Sequence, residues 1–265
     1  MLRSALLNVM VQAARKAARS LKRDFGEIER LQVSLKGPGN FVTAADRRAE
    51  EILREELAKA RPAYGFLGEE GGAHEGSDKT HMWIVDPLDG TTNFLHGIPQ
   101  FAISIALERD RTVVAGVIYN PATDELYTAE RGKGAFLNDR RLRVAARQRL
   151  VDSVVACGLP HGARGDLAPF RKEFAVVQEK VAGLRRFGAA ALDLAWVAAG
   201  RLDAYWERNL SPWDMAAGLV LVREAGGFVT DLDGGNAMLA KGHIVAGNEA
   251  LQRDLLALLR DAIRG

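Results

Sequence analysis

The chain has 265 residues, 48% of them hydrophobic, and its 36 Lys and Arg nearly balance its 34 Asp and Glu. That much apolar side chain can bury one large domain or two small halves packed tightly together. The scattered basic residues point away from direct binding to nucleic acid or a membrane surface, although a surface for another protein remains open. A single cysteine, Cys157 in "VVACGLP", cannot form an internal disulfide, and its apolar neighbours suggest a buried thiol in a reducing compartment. Arg3, Arg15, Lys16 and Arg19 interrupt any signal-type apolar core, and no stretch reaches membrane-spanning length, so the expected location is the cytoplasm.

From Ser4 to Arg23, Leu6, Leu7, Met10, Val11, Ala14 and Leu21 form one apolar stripe opposite basic residues, which predicts an amphipathic helix. A Gly/Pro loop, "KGPGN", leads into "FVTAAD", and a second helix runs from Ala45 to Lys59 with Ile52, Leu53 and Leu57 on its inner face. Asp46 then falls near the helix start, where an N-cap competes with a catalytic role. The segments "AISIALERD" and "TVVAGVIYNPATDELYTAERGKGAFLND" read as strands joined by tight turns. After about Val151 come "SVVACGL", a helix over Phe170 to Lys180, a basic run and a helix over Ala190 to Ala199. The strand "DAYWE", the helix "PWDMAAGLVLVREAGG", strands "GFVTD" and "HIVAGN", and a helix near Ala250 to Ile263 complete the chain. The expected organisation is an N-terminal half, residues 1–150, and a C-terminal half, residues 151–265, with no repeat or linker.

Most carboxylates sit among Lys and Arg, as in "DRRAEEILREELAK", and read as solvated surface charge. Four groups do not: Asp46 after "VTAA", Glu69 and Glu70 after "FLG", Asp86 and Asp89 in "WIVDPLDGTTNF", and Asp214 after "SPW". Each follows an apolar or turn segment that delivers it to a strand end or helix start, half buried. Such a cluster is costly unless neutralised, and no local basic cluster is available. A hard divalent cation with oxygen ligands, such as Mg²⁺, is the economical explanation. Pro87 and Gly90 suggest that the strand breaks into a bend turning Asp86 and Asp89 toward one point.

"DPLDGTTNF" followed by "WDMAAG", with "GEE" and "VTAAD" upstream in order, resembles the inositol monophosphatase family of metal-dependent, lithium-sensitive phosphatases, over almost the whole chain. "AYWERNLSPWDMAAGLVLVREAGG" is most similar to its bacterial branch, some members of which are implicated in RNA polymerase and ribosomal RNA processing. The resemblance implies an α/β fold, an αβαβα layered sandwich, as a homodimer. It also implies two or three Mg²⁺ ions: one held by Glu69, Asp86 and the Leu88 carbonyl, a second by Asp86, Asp89 and Asp214, and a weaker third by Glu69 with Glu70 or water. Gly90 and Thr91 would present N–H groups to the phosphate, and Thr91 with Asp46 would orient and deprotonate the attacking water.

Glu207 in "YWERN" matches the family position that reaches an inositol hydroxyl, and "FGAAALDL" matches the segment lining the same pocket, with backbone contacts from Gly188 and Ala190. Ala189 stands where relatives often carry Ser or Thr. Lys36 matches a loop lysine near the site, with a solvated lysine as the alternative. His96 and His161 lack a second histidine at ligand spacing and read as surface or supporting residues. Arg185 and Arg186 could meet a phosphate-bearing substrate, a partner or a helix end, and the four tryptophans read as core.

The expected function is therefore a Mg²⁺-dependent phosphomonoesterase for myo-inositol 1-phosphate or similar polyol phosphates. Histidinol phosphate, fructose 1,6-bisphosphate and 3′-phosphoadenosine 5′-phosphate are alternatives within the class. A regulatory protein that contacts RNA polymerase or its elongation factors is the alternative from a different class.

Overall fold

The amino-terminal stripe folds as helix α1 (Ala5–Phe25), capped by Ser4, whose hydroxyl accepts the Leu7 N–H at 3.1 Å. In the computed structural model the described residues are 3–27, 33–37, 40–160 and 165–264, excluding the side chains of 33–37 and 40–43. A hairpin, β1 (Val33–Gly37) and β2 (Asn40–Thr43), brackets the expected Gly/Pro loop and leads directly into α2 (Ala44–Ala60).

The alternating segments that follow build a mixed sheet. Its strands are β3 (Gly65–Gly68), β4 (Gly72–His74), β5 (His81–Asp89), β6 (Ala102–Arg109), β7 (Thr112–Asn120), β8 (Glu125–Glu130), β9 (Gly134–Leu137) and β10 (Arg140–Arg141). Their spatial order is β10-β9-β8-β7-β6-β5-β3-β4, antiparallel throughout except where β3 runs parallel to β5. The parallel pair sends both strands' carboxyl ends to the same edge. A short helix, α3 (Thr91–Leu95), follows β5.

The C-terminal half contributes β11 (Val154–Cys157), α4 (Leu167–Gln178), β12 (Gly183–Arg185), α5 (Ala190–Ala198), β13 (Ala204–Glu207), α6 (Pro212–Glu224), β14 (Phe228–Thr230), α7 (Met238–Lys241), β15 (Ile244–Gly247) and α8 (Glu249–Arg264). Its sheet has the order β12-β11-β13-β15-β14. Among the described residues three apolar cores join five layers, the central one reaching both faces of its helix layer. Leu21 of α1 and Leu53 of α2 pack on Ile103 and Ile105 of β6. Ala102 and Ala106, on the opposite face of β6, share a core with Leu194 of α5, Met215 of α6, and Tyr205 of β13. Trp206, on the other face of β13, meets Phe170 of α4 and Leu255 of α8. The order is the expected αβαβα sandwich. Its central helices are buried nearly all round, which is why their sequences show little amphipathic contrast.

Candidate active site

Asp86 and Asp89 are three residues apart, a spacing that in a regular strand would put them on opposite faces. The ladder pairs Asp86 with Ser104 and Asp89 with Ala102, so three steps on β5 oppose two on β6. This is a β-bulge, and the extra residue restores the parity. Both carboxylates therefore share the face of Ser104 and Ala102, toward α5 and α6. The expected bend at Pro87 is this bulge: residues 87 and 88 have no register partner on β6, which spares the ladder the proline's missing donor, and pairing resumes at Asp89. Asp86 Oδ1 accepts the Leu88 N–H at 2.9 Å, and Asp89 Oδ2 accepts the Ala191 N–H at 2.7 Å, tying the bulge to the start of α5. Gly90 follows at φ 90°, and a Cβ there would lie 2.8 Å from the Gln100 carbonyl oxygen.

The other carboxylates arrive from separate elements. Gly68 pairs with Val85, so the turn after β3 brings Glu69 alongside Asp86. Asp214 lies in the first turn of α6, where its Oδ2 accepts the Ser211 N–H at 2.7 Å. Asp46 is buried inside the first turn of α2, so it is not the N-cap. The Thr91 hydroxyl lies 3.1 Å from both Asp46 Oδ1 and the Leu88 carbonyl oxygen, its two candidate acceptors. Buried Asn93 donates to the carbonyls of Gln100 at 2.8 Å and Phe187 at 2.7 Å, joining α3 to the segment that carries Gly188 and Ala190.

These residues enclose a cleft of about 110 Å³ lined by Glu69, Asp86, Asp89, Thr91, Glu207 and Asp214, and also by Leu88, Gly90, Gly188 and Ala190. At the Glu207 end, Tyr205 donates its hydroxyl to the Glu207 carboxylate. A Cβ on Gly158 would fall 1.8 Å from Glu207 Cδ, so glycine at 158 is what gives that carboxylate its place. Arg186 lines the same cleft, and Arg185 ends strand β12; neither occupies a helix end, which corrects that alternative.

Burial, then the charges of Glu69, Asp89 and Asp214, push the Asp86 carboxyl well above the ordinary carboxylate range. Burial and Asp214 do the same to Asp89, against the opposing Ala191 N–H. Among the described residues no three His, Cys, Asp or Glu side chains converge closely enough to enclose an ion. The donor set of the cleft nevertheless fits one: every side chain in it is a carboxylate, the cleft lining contains no His or Cys, and Mg²⁺ needs few protein ligands because water and phosphate complete its shell.

Two residues were not anticipated. Glu50, read as surface charge, is buried and accepts the N–H groups of Glu70 at 2.8 Å and Gly71 at 2.6 Å, fixing the turn that carries Glu69. Its signal is its place four residues after Asp46, one helical turn along the same face. Asp193 is a buried carboxylate within the apolar helix α5 that also lines the cleft. His96 is exposed, Trp83 and Trp206 are core residues, and Trp196 and Trp213 pack partly buried. Cys157 is buried and free, its thiol pushed up to about 12 mainly by burial. The side chain of Lys36 and the whole of His161 lie outside the described residues.

Comparison with known proteins agrees with this architecture. The model of the inositol monophosphatase family matches residues 2–264. An inositol-1-monophosphatase from Mesorhizobium japonicum is 67% identical over 260 residues, covering 98% of each chain. The Nus factor SuhB of Pseudomonas aeruginosa is 44% identical over 259 residues, covering 96% of each. The crystal structure of extragenic suppressor protein suhB from Bartonella henselae superposes with a TM-score of 0.93 at 61% identity, over 97% of this chain and 98% of that one. On this agreement of sequence and fold, the chain belongs to the inositol monophosphatase family and is a phosphatase of that family.

Proposed function

We propose that the chain is a Mg²⁺-dependent phosphomonoesterase acting on myo-inositol 1-phosphate or related polyol phosphates. The observation that carries this reading is the bulged strand, which aims two buried carboxylates, Asp86 and Asp89, into a cleft that also receives Glu69 and Asp214. Glu69, Asp86 and the Leu88 carbonyl would hold one ion, and Asp86, Asp89 and Asp214 a second. Glu69 with Glu70 or water would hold a weaker third. Bound there, the ions supply charge neutralisation for the phosphate ester and make water acidic enough to ionise near neutral pH.

The chain's own groups divide the remaining work. Thr91 orients the attacking water through its hydroxyl, and Asp46 receives the proton at its carboxylate, with which that hydroxyl is already in contact. The N–H groups of Gly90 and Thr91, which as the first of a helix have no intrahelical acceptor, bind phosphate oxygen. Glu207 accepts a ring hydroxyl, with the Gly188 and Ala190 main chain beside it. Ala189 adds a methyl group in place of a hydroxyl and leaves polyol recognition to its neighbours. The working unit in this reading is a cytoplasmic homodimer.

The test is phosphate release by the purified chain from inositol 1-phosphate, histidinol phosphate, fructose 1,6-bisphosphate and 3′-phosphoadenosine 5′-phosphate, with Mg²⁺, with EDTA and with added Li⁺. The expected result is Mg²⁺-dependent, Li⁺-inhibited release that is fastest from inositol 1-phosphate. Equal release in EDTA overturns the metal assignment, and faster release from another ester overturns the substrate. A second role, contact with RNA polymerase or its elongation factors, is suggested by the 44% identity to a Nus factor. Capture of polymerase by Asp86→Asn protein would show that role to be independent of the metal site, and no capture by the wild-type chain would remove it.

A further inference from the structure

The phosphate chemistry leaves one carboxylate in the cleft without a task. Asp193 lies in the first turn of α5, among Ala190, Ala191, Leu192, Leu194 and Ala195, and is 1% exposed. Its Oδ1 is buried with no hydrogen-bond partner, yet the residue lines the cleft. An acceptor left so in a folded interior carries its full desolvation penalty unless a ligand brings a donor.

Its surroundings define that ligand. Burial, then the charges of Glu207 and Asp89, hold the Asp193 carboxyl well above the usual carboxylate range, and Arg186 opposes them. Glu207 is itself held from one side by the Tyr205 hydroxyl and accommodated from the other by the bare backbone of Gly158. The cleft thus presents two neighbouring acceptors, one fixed and one unsatisfied. A phosphate or carboxylate placed against them would be repelled. Uncharged hydroxyl donors on adjacent carbons would pair with both.

We infer that Asp193 is a specificity-determining residue that accepts, through Oδ1, a hydroxyl of the substrate's polyol moiety beside the one taken by Glu207. The inference rests on the polyol phosphate reading above and assigns that recognition to two carboxylates from α5 and β13. It also explains why a helix otherwise wholly apolar carries an aspartate.

The experiment compares kcat and KM of the wild-type chain, Asp193→Ala and Asp193→Asn on myo-inositol 1-phosphate and on p-nitrophenyl phosphate, which has no hydroxyl to offer, with thermal melts of each protein. For Asp193→Ala the ratio of kcat/KM between the two esters should fall about tenfold or more, with a raised KM for the inositol ester, as for loss of a buried hydrogen bond. Asp193→Asn, which keeps the shape and one oxygen acceptor, should lie between the two. If the alanine variant does not fold, a ratio for Asp193→Asn lower by about threefold or more carries the test, because the amide sets an NH2 group where the carboxyl has a second oxygen. Equal losses on both esters, together with a lowered melting temperature, would mean that Asp193 is structural and overturn the inference. Wild-type turnover of p-nitrophenyl phosphate alone would overturn it while leaving the phosphatase reading intact. Turnover of neither ester would overturn both.

Discussion

Replacing Asn93 by alanine should loosen the turn that carries Gly90 and Thr91 from the segment that carries Gly188 and Ala190. The amide nitrogen donates both its protons, to Gln100 O at 2.8 Å and to Phe187 O at 2.7 Å. Each such bond contributes about 1 kcal/mol net, and a carbonyl left unpaired costs up to about 1–3 kcal/mol when water cannot reach it. Residues 100 and 187 are only partly buried, so rehydration recovers some of that penalty. The expected loss is then about 2–3 kcal/mol. For a chain of this size that corresponds to a fall in Tm of roughly 4–10 °C. Urea denaturation in EDTA, with thermal melts alongside, measures it without the stabilising effect of bound cation. Asn93→Asp has the same shape but sets a carboxylate against two carbonyl oxygens, and should be less stable than the alanine variant near neutral pH. A loss below about 0.5 kcal/mol for Asn93→Ala, or an aspartate variant as stable as wild type, would refute the role of these two bonds.

Asp86 offers a test of sign. Its folded-state pKa is raised by burial and by Glu69, Asp89 and Asp214, so its stabilising contribution is complete below the ordinary carboxylate pKa and is lost as pH rises through the folded value. In EDTA, Asp86→Asn should therefore melt above wild type at about pH 7, with the gap closing toward about pH 4; a gap that widens on acidification would refute the assignment. Asp214→Asn retains an acceptor for the Ser211 N–H and should fold normally while losing turnover by about 100-fold or more; near-normal turnover would remove Asp214 from the metal site. Glu50→Ala frees the N–H groups of Glu70 and Gly71 and should cost about 2–3 kcal/mol, together with a raised Mg²⁺ requirement in activity titrations. Lost stability with an unchanged Mg²⁺ requirement would confine Glu50 to the fold.

The layered architecture was legible because the outer helices advertise themselves: α1 follows Ser4 and carries a clean stripe from Leu7 to Leu21. The strands from Ala102 to Leu137 were equally plain, alternating between turns of Gly and Asp. Short elements such as β12 and α7 were not, since three or four residues carry too little periodicity to stand out. The carboxylates of the cleft could be sorted from surface charge where an apolar run delivered them, as with Asp86 and Asp214. Glu50 was hidden among "AEEILREE" because its burial is set by a turn arriving from elsewhere in the chain, after β3. Asp193 was hidden for the opposite reason: it sits in a stretch so apolar that its backbone drew the attention.

The bulge in β5 has a bearing on how this site can be altered. Two aspartates separated by a single residue would also share one face of an ordinary strand, so parity alone does not require the extra residue. What the extra residue adds is a main-chain oxygen: Leu88 leaves the regular ladder, its N–H turns to Asp86, and its carbonyl approaches Thr91 at the rim of the cleft. If that oxygen binds an ion as proposed, one ligand of the centre is written in backbone register rather than in any side chain. Substitutions at Leu88 other than proline would leave that oxygen in the main chain, and alanine scanning would pass over it. Deleting one residue between Asp86 and Asp89 would return the carbonyl to the ladder while keeping both aspartates.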